Sequence, residues 1–313
     1  MEILDKFRGQ PAGPDVPYWC RFFTPSQYER FVTLVEGYFQ RRGEQVEIVD
    51  GVVLPQRMGL GNLAQLCHQS PDERWLDHVE RHFRVAEQSL RDARQLERTK
   101  ADLDAVRHLL AVRLYPEEHL QALPGAHLVY RSDLPGTIST LVYDLPHGLQ
   151  SVRDADVEAW GVHLDKLFEM ALDNVRRTFT ARIESIALDN SSLLSISGES
   201  LLATTTILLL DDYPQCLGGE GTVAAVPNRM GVLAHPVEDA SVLPALQALL
   251  QAVPRMYADG PGSISPRIYW YHRGEFLDLP YTIEGSQAEF RPPEEFVAML
   301  NRVMGESGGE GEV

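Results

Sequence analysis

ESLLATTTILLLDDYPQCLGGEGTVAAVPNRMGVLAHP, residues 199–236, joins a long apolar run to an acidic stop at Asp211-Asp212. A glycine hinge at residues 218–221 follows, then a strand ending in Pro227-Asn228-Arg229. Residues 201–217 are apolar almost all round, and a helix of that kind belongs between a sheet and neighbouring helices. The stretch therefore reads as a buried helix packed on a sheet, followed by strand 222–226 and its partner 230–234. Thr204, Thr205 and Thr206 are β-branched and weaken a helix, so a strand over part of the run stays open.

Downstream, residues 240–253 read as a helix bounded by Pro254. Residues 264–271 and 275–279 make a hairpin rich in aromatics, and Pro292-Pro293-Glu294 opens a last helix to Met304. Upstream, residues 182–188 and 193–197 alternate on either side of Asp189-Asn190 and form another hairpin. Leu164, Leu167, Phe168, Ala171, Leu172 and Val175 give one apolar helical face. Short strands fall at 109–115, 127–131, 137–144 and 149–152, separated by Pro and Gly turns.

Nearer the start, Thr24-Pro25-Ser26 is a helix opening with Pro at the first helical position. Asp50-Gly51 centres a hairpin over 46–54. A short helix covers 63–68, and Ser70-Pro71 starts a long one whose apolar stripe runs Leu76, Val79, Phe83, Ala86, Leu90, Ala93. Hairpins alternating with single helices predict an α+β fold with a mainly antiparallel sheet and packed helices, preceded by a helical N-terminal part with a β-hairpin. The expected plan is an extended arm over 1–21, the N-terminal part over 22–100, the α+β domain over 101–304, and a disordered acidic tail over 305–313.

Composition narrows the function classes. Twenty-eight Lys+Arg against forty-five Asp+Glu leave a net charge of −17, which repels phosphate backbones and argues against a nucleic-acid partner. Three cysteines, Cys20, Cys67 and Cys216, are too few and too scattered for a disulfide framework and suit a reducing cytoplasm. No apolar run approaches the roughly 20 residues that cross a bilayer, so no membrane partner is expected. The expectation is a cytoplasmic protein with no cofactor and no metal.

Taken in order, several landmarks resemble those of the YtpQ-like family of bacterial proteins, catalogued as a domain of unknown function. They are Phe23-Thr24-Pro25, the 46–54 hairpin, Gly61-Asn62-Leu63, Leu141-Val142-Tyr143-Asp144 and Ala171-Leu172-Asp173-Asn174. The last is 208–212 leading to Val226-Pro227-Asn228-Arg229. The resemblance spans about 22–279 and rests on the order of the landmarks, each of which is short. It implies a fold and brings no activity. Where the family pattern carries an acidic residue after the arginine, this chain has Met230, so no carboxylate role is carried over there.

Candidate chemistry is sparse. Asp211 and Asp212 are adjacent, and neighbouring helical residues point about 100° apart, so they read as a solvated helix end. His78 and His82 stand one turn apart but lack the third ligand and glutamate placement of a zinc helix. There is no nucleophile elbow, P-loop or dinucleotide fingerprint, and the glycines at 218–221 enter a strand, where no helix N-terminus cradles phosphate. Asp144 and His147 flank Pro146 and are close enough for an acid/base couple, or simply end a strand. Asn228, Arg229 and His235 follow a buried strand, where binding groups often sit, and guanidinium matches carboxylate and phosphate. These five residues, Asp144, His147, Asn228, Arg229 and His235, are the candidate ligand-binding set, with no residue assigned a catalytic role. The leading expectation is a non-enzymatic module that binds a protein partner or small ligand. Tyr269, Trp270 and Tyr271 are candidates for a partner surface, with core packing as the simpler reading. The alternative is a hydrolase-like enzyme that gathers the same five residues in one cleft.

Overall fold

The computed structural model describes residues 16–122, 127–188, 191–284 and 287–306. The expected Asp189-Asn190 turn, residues 1–15 of the expected arm and residues 307–313 of the expected tail lie outside them. The chain divides into two compact units: residues up to Arg94 with Pro146–Gly148 and Asp259–Gly262, and the remainder.

In the first unit, Tyr18–Cys20 form one 3-10 turn that buries Cys20. Helix α1 (Pro25–Gln40) starts from a capping box. The Thr24 hydroxyl accepts from the Gln27 amide and the Gln27 side chain accepts from the Thr24 amide, so two otherwise orphaned donors are satisfied. Strands β1 (Glu47–Val49) and β2 (Val52–Leu54) pair across Asp50 and Gly51, both at positive φ, and β3 (Met58–Gly59) adds a third strand. Helices α2 (Gly61–His68) and α3 (Trp75–Leu96) close the unit.

The buried stripe of α3 keeps Val79 and Phe83 of the expected one but takes in Trp75 and leaves out Leu76 and Leu90. Trp75, Val79 and Phe83 are buried, whereas Leu76 and Leu90 are 39% and 54% exposed. Aromatic packing decides the rotation: Trp75 sits 5.2 Å from Phe23, and Phe83 lies 4.9 Å from Tyr38 and 4.7 Å from Phe39. Large rings bury more apolar area than leucines, so they take the inward face.

The second unit carries α4 (Leu103–Val106), β4 (Leu110–Pro116), α5 (His119–Ala122), β5 (Tyr130–Arg131), β6 (Thr137–Leu145), β7 (Gly148–Ser151), α6 (Asp154–Trp160) and α7 (Leu164–Thr178). Then come β8 (Arg182–Leu188), β9 (Ser191–Ser197), β10 (Thr222–Ala225), β11 (Gly231–Pro236), α8 (Val242–Asp259), β12 (Tyr269–His272) and β13 (Glu275–Asp278). A last hairpin of β14 (Tyr281–Glu284) and β15 (Gln287–Phe290) precedes α9 (Glu294–Glu306). Six strands form an antiparallel sheet in the order β13-β12-β10-β11-β9-β8, and β4-β6-β5 form another, with β7 pairing β6. The fold is α+β with mostly antiparallel sheets, and among the described residues no helix is long and apolar enough to cross a membrane.

Two element expectations fail for physical reasons. The run 201–217 is not one α-helix but a 3-10 helix, Ala203–Asp212, broken at Leu209, followed by a 3-10 turn at Pro214–Cys216. Its threonines bond backbone directly. The Thr205 hydroxyl donates to Val112 O at 2.6 Å and Thr206 to Ala203 O at 2.7 Å, an alternative to regular helical pairing that these side chains offer. Helix α8 runs through Pro254 rather than ending before it. An interior proline costs about 3 kcal/mol. Leu246, Leu249 and Val253 are buried on the same helix, and burial contributes about 1.5–3 kcal/mol for each such side chain.

Gly221 shows why the glycine hinge is glycine. It has φ of +91°, and a Cβ there would lie 2.3 Å from Tyr271 O. The tight β10 entry thus needs both left-handed backbone and the absence of a side chain. Tyr269, Trp270 and Tyr271 are all buried on β12, so they are core residues rather than a partner surface.

Candidate functional site

The turn between β10 and β11 is held from two sides. Asn228 Nδ2 donates to Met256 O at 2.8 Å, and Asn228 Oδ1 accepts from the Met230 amide at 3.0 Å. The Ile264 amide donates to Pro227 O at 2.9 Å and the Ser265 amide to Val226 O at 3.2 Å. Asparagine is suited to this, since its amide mimics a backbone turn while its nitrogen reaches outward. Arg229 is thereby carried on a pinned loop. Its guanidinium is half-buried and, among the described residues, has no hydrogen-bond or ion-pair partner. Burial, and then the charge of Arg113, pull its pKa below the usual guanidinium range, yet arginine stays protonated in proteins.

Arg113 stands on β4, in the middle of the apolar run LLAVRLY, and is also half-buried without a carboxylate partner among the described residues. Its guanidinium lies 4.8 Å from the Tyr115 ring centre. Tyr115 in turn stacks on His119, with ring centres 4.3 Å apart and planes 5° from parallel. Burial and the Arg113 charge hold the His119 imidazole below its ordinary pKa, which favours its neutral form. Across the β4–β6 ladder Arg113 pairs in register with Thr140, so both side chains share one face of the sheet. Thr140 is fully buried and its hydroxyl has no partner among the described residues. Leu114, Val226 and Ile264 share one core cluster, which joins β4 to the chain on either side of the Arg229 turn.

Several other arginines meet acids. Arg41 meets Glu80 at 3.1 Å, Arg42 meets Glu87 at 2.7 Å, Arg131 meets Asp133 at 2.8 Å and Arg302 meets Glu220 at 2.6 Å. Arg113 and Arg229 are half-buried and meet no carboxylate among the described residues.

Asp144 is the converse case. Near the end of β6 it lines a cleft of about 370 Å³ with Thr178, Thr180, Glu199 and Ser200. Burial raises its carboxyl above the usual range, and among the described residues nothing hydrogen-bonds it. The other candidates are engaged within the fold. His147 Nδ1 lies 2.8 Å from Asp92 Oδ2, and the His147 amide donates to the same oxygen at 3.1 Å. His235 is buried on β11 with Nδ1 3.1 Å from Ser192 O and Nε2 3.3 Å from Ser241 Oγ. A carbonyl can only accept, so Nδ1 carries a proton, and both ring nitrogens are used within the fold. His78 bonds Ser70 Oγ at 3.0 Å, and among the described residues no group of three or more His, Cys, Asp or Glu side chains converges for a metal.

A larger groove of about 640 Å³ runs beside residues 218–221. The Tyr271 hydroxyl donates to Asp211 Oδ2 at 2.6 Å, and Arg302 Nε and Nη2 clasp Glu220 at 3.2 and 2.6 Å. These charged groups answer each other, and Arg302 keeps the Glu220 carboxyl below its usual range. Asp212 is likewise bound by Arg176 Nε at 2.7 Å. The sequence reading found Arg229 but not Arg113, Tyr115, His119 or Thr140. The one signal was an arginine inside an otherwise apolar strand. No family model matches the chain, nor does any curated protein or solved structure.

Proposed function

We propose that this protein is a non-enzymatic binding module of the cytoplasm, with Arg229 as the main ligand contact. One observation carries the reading. Of the five candidate residues, Asn228, His235 and His147 spend their side chains on hydrogen bonds within the fold, while Arg229 has no partner among the described residues. The expected hydrolase needs Asp144 and His147 as an acid/base couple, and His147 is bonded to Asp92 instead. A half-buried unpaired cation instead favours a ligand that brings its own negative charge. The free, buried cysteines support a reducing compartment, and the net charge of −17 supports a partner other than nucleic acid. Membership of the YtpQ-like family belongs to the same proposal and rests on the order of its six landmarks.

The test pairs native mass spectrometry of the purified protein with a panel of ester, amide and phosphoester substrates. Wild type is expected to retain a small molecule that Arg229→Met loses, and to show no turnover. A specific turnover that disappears in Asp144→Asn would sink the binding reading in favour of the hydrolase.

A further inference from the structure

We infer that the cleft lined by Asp144 and Glu199 is a binding site for a small organic ammonium ion, either an alkylamine or a short aliphatic diamine. This goes beyond the reading of Arg229 and does not rest on it.

Three segments of the second unit build the cleft. Asp144 comes from β6, Thr178 and Phe179 from the end of α7, and Glu199, Ser200 and Leu202 from the chain that follows β9. Local hydrogen bonds fix these walls. The Thr178 hydroxyl donates to Asn174 O at 2.9 Å, the Phe179 amide to Val175 O at 2.9 Å, and the Leu202 amide to Ser200 Oγ at 3.2 Å. Gly198 lets the Phe179 ring close in, since a Cβ there would lie 2.5 Å from Phe179 Cζ. Leu202 is buried, Asp144 and Phe179 are half-buried and Glu199 is exposed. The cleft therefore combines a sheltered carboxyl, an apolar wall and a second carboxyl at its rim. A site whose walls are already set loses little entropy when a ligand arrives.

The lining selects the class of ligand. Among the described residues no Lys, Arg or His lines the cleft, and neither Asp144 nor Glu199 has a hydrogen bond or ion pair. Nearby acids are answered, as at Arg176, where Asp173 and Asp212 both lie 2.7 Å away. Burial raises the Asp144 carboxyl above its usual range, the cost of sheltering an anion with no cation beside it, and a bound cation offsets that cost. The end of α7 acts in the same direction, because the last carbonyls of a helix lack intrahelical partners and their partial negative charge favours a cation. A metal ion suits the cleft less. Calcium takes about 6–8 oxygens, and among the described residues no three His, Cys, Asp or Glu side chains converge. An alkylammonium brings three N–H donors for the carboxylate and hydroxyl oxygens, and its methylenes cover Phe179 and Leu202. The volume of about 370 Å³ lies within the roughly 300–1,000 Å³ of small-molecule sites.

The experiment titrates butylamine and 1,4-diaminobutane into the full chain at neutral pH and constant ionic strength, read by calorimetry and by thermal melting. Butanol and magnesium chloride are the neutral and inorganic comparisons. Asp144→Asn, Glu199→Gln and Thr180→Lys, the last placing a fixed ammonium at an exposed position of the rim, are set beside Glu289→Gln, whose exposed carboxylate pairs with Arg291 at 2.7 Å. Wild type and Glu289→Gln are expected to bind the amines saturably, and Asp144→Asn and Thr180→Lys to bind at least tenfold more weakly. Tighter binding of the diamine, with the advantage lost in Glu199→Gln, assigns a diamine that meets both carboxylates. Butylamine binding as tightly as the diamine assigns a single ammonium held at Asp144. Without ligand, Asp144→Asn should melt at or above wild type, so its weaker binding is not a loss of fold. A lower melting point would overturn the proposal, since the carboxylate would then serve the fold. Failure of wild type to saturate, butanol binding as well as butylamine, or magnesium binding as well as either amine would each overturn it. So would undiminished binding in Asp144→Asn or Thr180→Lys. None of these outcomes touches the reading of Arg229, which is judged by the molecule that Arg229→Met loses.

Discussion

Asp144 and Arg229 carry opposite charges and share a condition: each is half-buried and has no polar partner among the described residues. For Asp144 this has a pH signature. Burial raises its folded pKa above the free value of 3.8, so the folded protein holds a proton that the unfolded chain would release. Stability therefore falls as pH rises from the free value through the folded one, and the full penalty persists above it. Asp144→Asn removes that penalty. It is expected to raise the melting temperature at pH 7 relative to wild type, with the difference vanishing below about pH 3.9. An equal difference at acid pH would show that burial of the charge is not the cause. The sequence marked both residues by position, at a strand end and after a buried strand. It carried no sign that their partners would be missing while those of His147, Asn228 and His235 were supplied by Asp92, Met256 O and Ser192 O.

Elements whose pattern was local were legible: the Asp50-Gly51 hairpin, the helix start at Thr24-Pro25, and the amphipathic α7. The 201–217 run was not. Its apolar residues announced burial, and Leu202, Ala203, Ile207, Leu209 and Leu210 are indeed buried, but 3-10 geometry arose from threonine hydroxyls reaching backbone. Thr205 binds β4 through Val112 O over 93 positions of sequence, a partner no window of residues reveals. Thr205→Val keeps the shape and removes the donor, so it should cost about 1 kcal/mol in urea unfolding. A change near zero would mean that shape alone holds the element. The α3 stripe held at Val79 and Phe83 but missed at Leu76 for a related reason, since Trp75 competes with Leu76 for the same inward direction, and only the ring partners Phe23, Tyr38 and Phe39 settle which wins.

At the scale of the whole molecule, the thiols report on the fold. All three cysteines are free and buried, and desolvation pushes Cys20 and Cys67 up to about 12 and Cys216 up to about 11. Thiolate is the reactive form, so the native protein should show no labelling by iodoacetamide at pH 8, and all three should label in denaturant. Rapid labelling of one native cysteine would reveal a local opening of its surroundings. Residue types and short-range spacing were enough to determine the α+β class and most strands, because hydrophobic period and turn chemistry act over a few residues. The pairing of side chains was decided only by tertiary structure. Whether a charge is answered or left open depends on which distant strand folds beside it.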